Sequence, residues 1–279
     1  MSPELTQAVL LDVLLIAALA LSMALVIYTW VGVRTGISWI GDGNVLARPY
    51  GIPDAAVALG LVALFGWMVS ASARGPEETM EMESFAIGMF VGSMFFLLLG
   101  LMLVAYMSVL RGMNPTEMFG LRSISVKSAF GLAAVWIVGV VVVMALIVAA
   151  VYAVALGGQL PDESPQEVVE MFRKMDGWMM RGLVVIAAVL VAPLTEELIF
   201  RGFLYGVTKR FTERWFAVLL TALLFATVHN HVGSLLPLFL LGVGFAVAYE
   251  ATGSLLVPIF MHMIFNGFNV VRMIMMGGE

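Results

Sequence analysis

Long apolar runs separated by short charged segments dominate this sequence. A helix that crosses a bilayer needs about 20 apolar residues, and eight runs reach or approach that length: 5–33, 52–73, 84–110, 129–156, 178–205, 215–229, 235–249 and 254–276. The chain is 62% hydrophobic and 12% charged, whereas about a quarter of the residues in a soluble domain are charged. The sequence therefore predicts an all-α, polytopic membrane protein, a bundle of about eight transmembrane helices.

The charges between the runs alternate in sign. Basic residues follow the first, third and fifth runs, and acidic residues precede the third and fifth. Because cytoplasmic loops carry an excess of Lys and Arg, we expect the basic segments in the cytosol and both termini on the opposite side. The first run exceeds a signal peptide's apolar region and has no Lys or Arg before it, so we expect it to be retained. The segment from Gly157 to Gly177 is expected to be an interfacial connector.

The composition excludes several classes of function. A net charge of -5 leaves no basic stripe for nucleic acid. The chain has no cysteine, which excludes disulfides, thiol nucleophiles and thiolate metal sites. The three histidines, His229, His231 and His262, are then the only imidazole bases or ligands. We expect one transmembrane domain over residues 1–279, in which residues 1–180 form helices without motifs and residues 181–279 form a catalytic core.

Two adjacent carboxylates interrupt the fifth apolar run. Glu196 and Glu197 lie well inside it, and Arg201 follows four residues after Glu197. Positions i and i+4 share one face of a helix, so Glu197 and Arg201 can pair, while Glu196 is turned by about 100° and needs another partner. Ionisable residues inside a span are rare and mark functional sites. The alternative is a purely structural buried ion-pair network.

Two further polar pairs lie at a similar depth. Phe225 and His229 are one turn apart in the sixth run, and His262 and Asn266 are one turn apart in the eighth. At 1.5 Å per residue, Glu196 lies roughly 20 Å from Lys209, His229 roughly 22 Å from Arg214, and His262 roughly 18 Å from Glu250. Because these basic and acidic reference residues are at the same membrane side, we expect Glu196, His229, His262 and Asn266 to meet around one buried polar cavity.

Such a set can catalyse hydrolysis. A carboxylate and an imidazole that share a water molecule can take its proton. A second imidazole and an amide can donate hydrogen bonds to a carbonyl oxygen as it becomes an oxyanion. Glu197 and Arg201 would then support the helix, and Phe225 is expected to pack against His229.

The three motifs Glu196-Glu197-x-x-x-Arg201, Phe225-x-x-x-His229 and His262-x-x-x-Asn266 resemble the signature motifs of the CPBP (CAAX protease and bacteriocin-processing, or Abi) family. That family consists of intramembrane glutamate proteases related to the CAAX prenyl endopeptidase. The resemblance implies an eight-helix bundle whose catalytic cavity opens to the cytosol. It assigns Glu196 and His229 to water activation, His262 and Asn266 to the oxyanion hole, and Glu197 and Arg201 to supporting roles.

The resemblance also implies a location and a class of substrate. We expect a multi-pass protein of the cell membrane, the inner membrane in a prokaryote. Its expected partners are the lipid bilayer and a peptide or membrane protein, among which a lipidated C-terminus is one candidate. Neither a metal nor another cofactor is expected, and the sequence does not predict an oligomeric state.

Two alternatives remain open from the residues. The first is a zinc protease with His229, His262 and a glutamate as ligands, which His231 could complete; the chain lacks His-Glu-x-x-His, the spacing that places two ligands on one helical face. The second is a protein that is not an enzyme, such as a proton-coupled carrier, an immunity protein or a scaffold, which keeps buried polar groups for transport or partner binding.

Overall fold

All regular secondary structure in the described part of the chain is helical, as predicted. The computed structural model describes residues 43–47, 49–72, 82–155 and 177–276. We number the helices α1 (Ile52–Ser72), α2 (Met82–Ala105, with the π turn Tyr106–Leu110), α3 (Pro115–Met118), α4 (Val126–Ala155), α5 (Trp178–Ile186 continuing to Gly206–Phe211), α6 (Arg214–Thr227), α7 (Leu235–Thr252) and α8 (Leu256–Met276).

Six of these helices are long and apolar enough to cross a membrane, namely α1, α2, α4, α5, α7 and α8. The predicted number of about eight spans is therefore met only in part. Helix α6 has 14 residues, which span roughly 21 Å and fall short of a bilayer. The predicted span 5–33 and most of the predicted connector 157–177 lie outside the described residues.

The basic residues lie at helix ends that meet at one end of the bundle, as the alternation of basic and acidic segments predicts. Arg111 after α2 pairs with Asp54 in the first turn of α1, with 3.0 Å between Nε and Oδ1. Lys209 near the end of α5 pairs with Glu250 near the end of α7, with 2.8 Å between Nζ and Oε1. These contacts bring the basic residues together at one end of the bundle, which we call the basic end. Its assignment to the cytosol stays a prediction.

Tyr50 joins the loop before α1 to α5 at this end. Its hydroxyl donates to the carbonyl oxygen of Gly202 at 2.8 Å, and its ring occupies the space that a Cβ at Gly206 would need. Burial raises the pKa of Tyr50 well above its ordinary value, so the hydroxyl keeps the proton that it donates. Gly206 therefore leaves room for the ring of Tyr50, and Gly202 supplies the acceptor for its hydroxyl.

Helices α5 and α7 run parallel and are held in register by two polar contacts. Arg201 donates to the carbonyl oxygen of Gly242 at 3.0 Å, and Lys209 donates to Glu250 at 2.8 Å; each contact joins residues 41 positions apart. The second contact is about two helical turns beyond the first. Tyr205 strengthens it by donating to the other carboxylate oxygen of Glu250 at 2.6 Å. A sliding movement of one helix along the other would break both contacts together.

Removing the carboxylate of Glu250 should destabilise the bundle strongly. In the variant Glu250→Ala the buried ammonium of Lys209 loses its charged partner and keeps the carbonyl oxygen of Val45, and the hydroxyl of Tyr205 loses its acceptor. Breaking a buried ion pair costs about 3–5 kcal/mol. Thermal unfolding of the purified protein in detergent measures the loss.

The matched control is Glu213→Ala. Glu213 caps the start of α6 by accepting from the backbone N–H groups of Trp215 and Phe216, and a lost cap costs about 1 kcal/mol. Equal shifts in melting temperature for the two variants would contradict the role given to Glu250.

Candidate active site

Two π-helical stretches of α5 lie before and after the adjacent glutamates. The first covers Ala187–Val191 and the second Leu198–Tyr205, and the α-helical segment Ala192–Glu197 lies between them. Such π turns are rare and are found mostly at functional sites. The single hydroxyl hydrogen of Thr195 is directed back at the carbonyl oxygens of Val191 and Ala192, which lie 2.9 and 3.1 Å from Oγ1.

Arg201 is fully buried and is paired on several sides. One terminal nitrogen donates to Oε1 of Glu197 at 3.0 Å, which confirms the predicted i, i+4 pair, and the other donates to the carbonyl oxygen of Gly242. Its guanidinium also lies 4.5 Å from the ring centre of Phe225 and 5.3 Å from that of Phe245. Burying a charge without a partner is very costly, and these contacts offset that cost.

Glu197 also holds the imidazole of His262. The Nδ1 atom of His262 lies 2.9 Å from the same Oε1 that accepts from Arg201. The ring packs against Phe245 at 5.1 Å and against Phe225 at 5.8 Å between ring centres. This environment fixes the imidazole in the orientation that places its Nε2 atom 3.9 Å from Oε2 of Glu196.

His229 approaches Glu196 from the turn that follows α6. The predicted span 215–229 would have placed His229 on a helix, but α6 ends at Thr227 and His229 lies in the turn that follows. Asn230 reverses the chain there in the left-handed conformation, with φ at 48°, which Asn tolerates better than most residues. The Nδ1 atom of His229 donates to the carbonyl oxygen of Phe225 at 2.7 Å, so in the neutral ring the Nε2 atom is the acceptor.

The Oε2 atom of Glu196 is the centre of this arrangement. It lies 3.9 Å from Nε2 of His229 and 3.9 Å from Nε2 of His262. It is buried and makes no hydrogen bond within the described part of the chain. A distance of 3.9 Å is too long for a direct hydrogen bond, but one water molecule with bonds of about 2.8–3.0 Å can bridge it.

Exposure divides the site into two sides. The side chains of Glu197 and His262 are 0% and 4% exposed, whereas those of Glu196 and His229 are 23% and 31% exposed. The packed side therefore holds the supporting ion pair, and the accessible side presents a carboxylate and an imidazole. Phe225 lies between the two sides and packs on His229 at 4.8 Å, as predicted.

Asn266 and His231 are hydrogen-bonded to groups other than Glu196. The side-chain amide of Asn266, one turn after His262, donates to the carbonyl oxygen of Ala188 in α5 at 2.8 Å. His231 turns towards Ser234, whose backbone N–H donates to its Nδ1 atom at 3.2 Å. Among the described residues, no group of three or more His, Asp or Glu side chains is arranged to hold a metal ion.

Sequence reasoning missed two contributors on α7. Gly242 supplies the carbonyl acceptor for Arg201, and Phe245 supports both Arg201 and His262. Neither carries a charge or a polar side chain, so Phe245 looks like ordinary packing in the sequence. Gly242 could have been noticed only because it and Gly244 interrupt an otherwise bulky apolar run.

Comparison with known families covers this part of the chain. Residues 178–268 match the sequence model of the family described as Type II CAAX prenyl endopeptidase Rce1-like. The match covers about the last third of the chain, and this part is similar to the Rce1-like family. The matched region contains all three predicted motifs and all the side chains of the site described above. The recognition of the family from its motifs is thereby confirmed.

Two relatives extend this similarity. The Bacillus subtilis (strain 168) protein named membrane peptidase YdiL is 36% identical over 89 residues, which cover 32% of this chain and 36% of YdiL. The Staphylococcus aureus (strain USA300) protein named membrane-embedded CAAX protease MroQ is 28% identical over 137 residues, 47% of this chain and 53% of MroQ. The chain thus matches about a third to a half of the length of these relatives. No solved structure matches the chain.

The close contact at Gly242 gives a direct test of the packed side. A Cβ at this position would lie 3.1 Å from Cα and Cβ of Ala222 and 3.2 Å from Arg201. Overpacking of this kind costs about 1–3 kcal/mol, so Gly242→Ala should lower the melting temperature. Gly139 in α4 has no atom within 4 Å of such a Cβ, and Gly139→Ala should be neutral or stabilising. Similar behaviour of the two variants would contradict the tight contact.

Proposed function

We propose that the protein is a membrane-embedded endopeptidase that hydrolyses a peptide bond with a water molecule activated by Glu196 and His229. The observation that carries the proposal is the unpaired Oε2 atom of Glu196, buried and 3.9 Å from two imidazole nitrogens. The Rce1-like family whose model residues 178–268 match is named for peptide-bond cleavage, which supports the same reaction class.

Glu196 and His229 share the water in this mechanism. The water donates one hydrogen bond to Oε2 of Glu196 and one to Nε2 of His229, which is an acceptor because Nδ1 donates to Phe225. As the water oxygen attacks the carbonyl carbon, its proton passes to this pair, and the same pair returns a proton to the leaving amine nitrogen. General-base catalysis of this kind contributes about 10²–10⁴-fold to the rate.

His262 and Asn266 stabilise the oxyanion that forms. Glu197 already accepts from Nδ1 of His262, so Nε2 can donate only when both ring nitrogens carry a proton. Asn266 uses one amide hydrogen for Ala188 and contributes the second. Each such donor is worth about 10²–10³-fold in kcat.

The position of the site favours substrates that enter the membrane. Along α5, Glu196 lies 18 residues after Trp178 and 15 before Phe211, which corresponds to roughly 27 and 22 Å. We propose that the substrate is a peptide carried into the bilayer by a lipid or by its own apolar segment, with a lipidated C-terminus as one such case. On the charge pattern, the accessible side would be reached from the cytosol of a multi-pass cell-membrane protein.

The experiment compares the protein termini in membranes that contain the wild-type protein or one of three variants. New termini should appear with the wild type and should be reduced at least about 100-fold by Glu196→Gln and by His229→Ala. His231→Ala is the matched control, because its imidazole faces Ser234 rather than Glu196, and it should leave the termini unchanged.

Three outcomes would contradict the proposal. Termini that persist with Glu196→Gln would show that Glu196 is not the catalytic carboxylate. Full biological activity of the Glu196→Gln variant without any cleavage would favour a carrier, immunity protein or scaffold. Loss of cleavage after treatment with a chelator, restored by zinc, would instead support the zinc protease.

A further inference from the structure

Pro193 lies inside α5, three residues before Glu196, at a position where proline is unfavourable. It is buried, it has no backbone N–H, and proline is the poorest residue in a helix interior. We infer that Pro193 is a positioning residue that aims the amide of Asn266, by leaving the carbonyl oxygen of Ala188 free to accept from it. This inference rests on the proposed function.

The backbone pattern explains why Ala188 needs a donor from another helix. In an α-helix its carbonyl oxygen would accept from Ala192, four residues later. The N–H of Ala192 donates instead to Ala187, five residues earlier, in the π pattern. The next bond of that pattern would join Ala188 to residue 193, which is proline and has no N–H. Neither residue 192 nor residue 193 therefore donates a backbone N–H to the carbonyl oxygen of Ala188.

Asn266 supplies the missing donor. Its Nδ2 atom lies 2.8 Å from the carbonyl oxygen of Ala188, and Ala188 and Asn266 are both partly buried. A carboxamide nitrogen carries two hydrogens in one plane, so the bond to Ala188 fixes the amide plane and with it the direction of the second N–H. Oriented donors of this kind act on a transition state because they need no rearrangement during the reaction.

The test is a double-mutant cycle of Pro193→Ala, Asn266→Ala and the combination, measured with the purified variants on a peptide that spans one of the Glu196-dependent termini described above. Pro193→Ala introduces an N–H that competes for Ala188 and releases the amide of Asn266. We expect kcat to fall on the order of 10- to 100-fold with little change in KM, because a small misplacement of a catalytic group costs this much. In the Asn266→Ala background, Pro193→Ala should change kcat by less than about 2-fold, since its effect passes through Asn266.

A second readout of the cycle needs no substrate. In the wild type, Asn266→Ala leaves the partly buried carbonyl oxygen of Ala188 without a side-chain donor and should lower the melting temperature. In the Pro193→Ala background the new N–H can serve that oxygen, so the same substitution should lower the melting temperature by less. Pro237→Ala is the matched control, because Pro237 lies in the first turn of α7, where a helix needs no backbone donor, and it should change neither readout.

Each result distinguishes this inference from the proposed function. Losses in kcat that multiply, or equal stability losses in both backgrounds, would show that Pro193 does not act through Asn266 and would overturn the inference alone. Full activity of Pro193→Ala would do the same. Cleavage that does not depend on Glu196 would overturn the proposed function, and the inference about Asn266 as an oriented catalytic donor with it.

Discussion

The pairing of one buried guanidinium organises this molecule. Arg201 has no exposed surface, so its charge has to be compensated by the helices around it. Glu197 supplies the opposite charge, Gly242 supplies a carbonyl oxygen, and Phe225 and Phe245 supply aromatic faces. These contacts fix the register of α5 against α7. The Lys209–Glu250 pair fixes the same register at the basic end. Because Glu197 also binds His262, the same pairing carries α8 into position.

Two neighbouring carboxylates acquire different roles from this arrangement. Glu197 is completely buried, and its Oε1 accepts from two groups, so it acts as structural charge. Glu196, turned onto the next face of the helix, keeps a buried oxygen without a hydrogen bond among the described residues and faces the more exposed His229. Environments that separate two similar groups in this way are typical of acid–base catalysis. π turns flank the pair on both sides, and such turns are found mostly at functional sites.

The sequence predicted the parts of this site that depend on spacing along a helix. Glu197 and Arg201 pair as four-residue spacing requires, and counting the rise per residue brought Glu196, His229 and His262 to one level. It could not predict features that depend on neighbouring helices. Gly242 and Phe245 contact Arg201 across 41 or more positions of the sequence, and Phe245 contacts His262 across 17. None of these contacts involves a polar side chain on α7. The predicted run ended at His229, whereas α6 ends two residues earlier at Thr227, and Asn230 in the following turn is left-handed. With 15 residues, that run was already shorter than the about 20 that a span needs, so the sequence did indicate a short α6.

The proposed reaction requires one water molecule held between Glu196 and His229. A density map of the protein in lipid nanodiscs, at about 2 Å resolution, tests this requirement most directly. We expect an ordered water within hydrogen-bond distance, about 3.2 Å or less, of both Glu196 Oε2 and His229 Nε2, with Arg201 bound to Glu197. A Glu196 carboxylate that faces lipid, or that lies more than about 6 Å from His229 and so cannot share a water with it, would contradict the proposed mechanism.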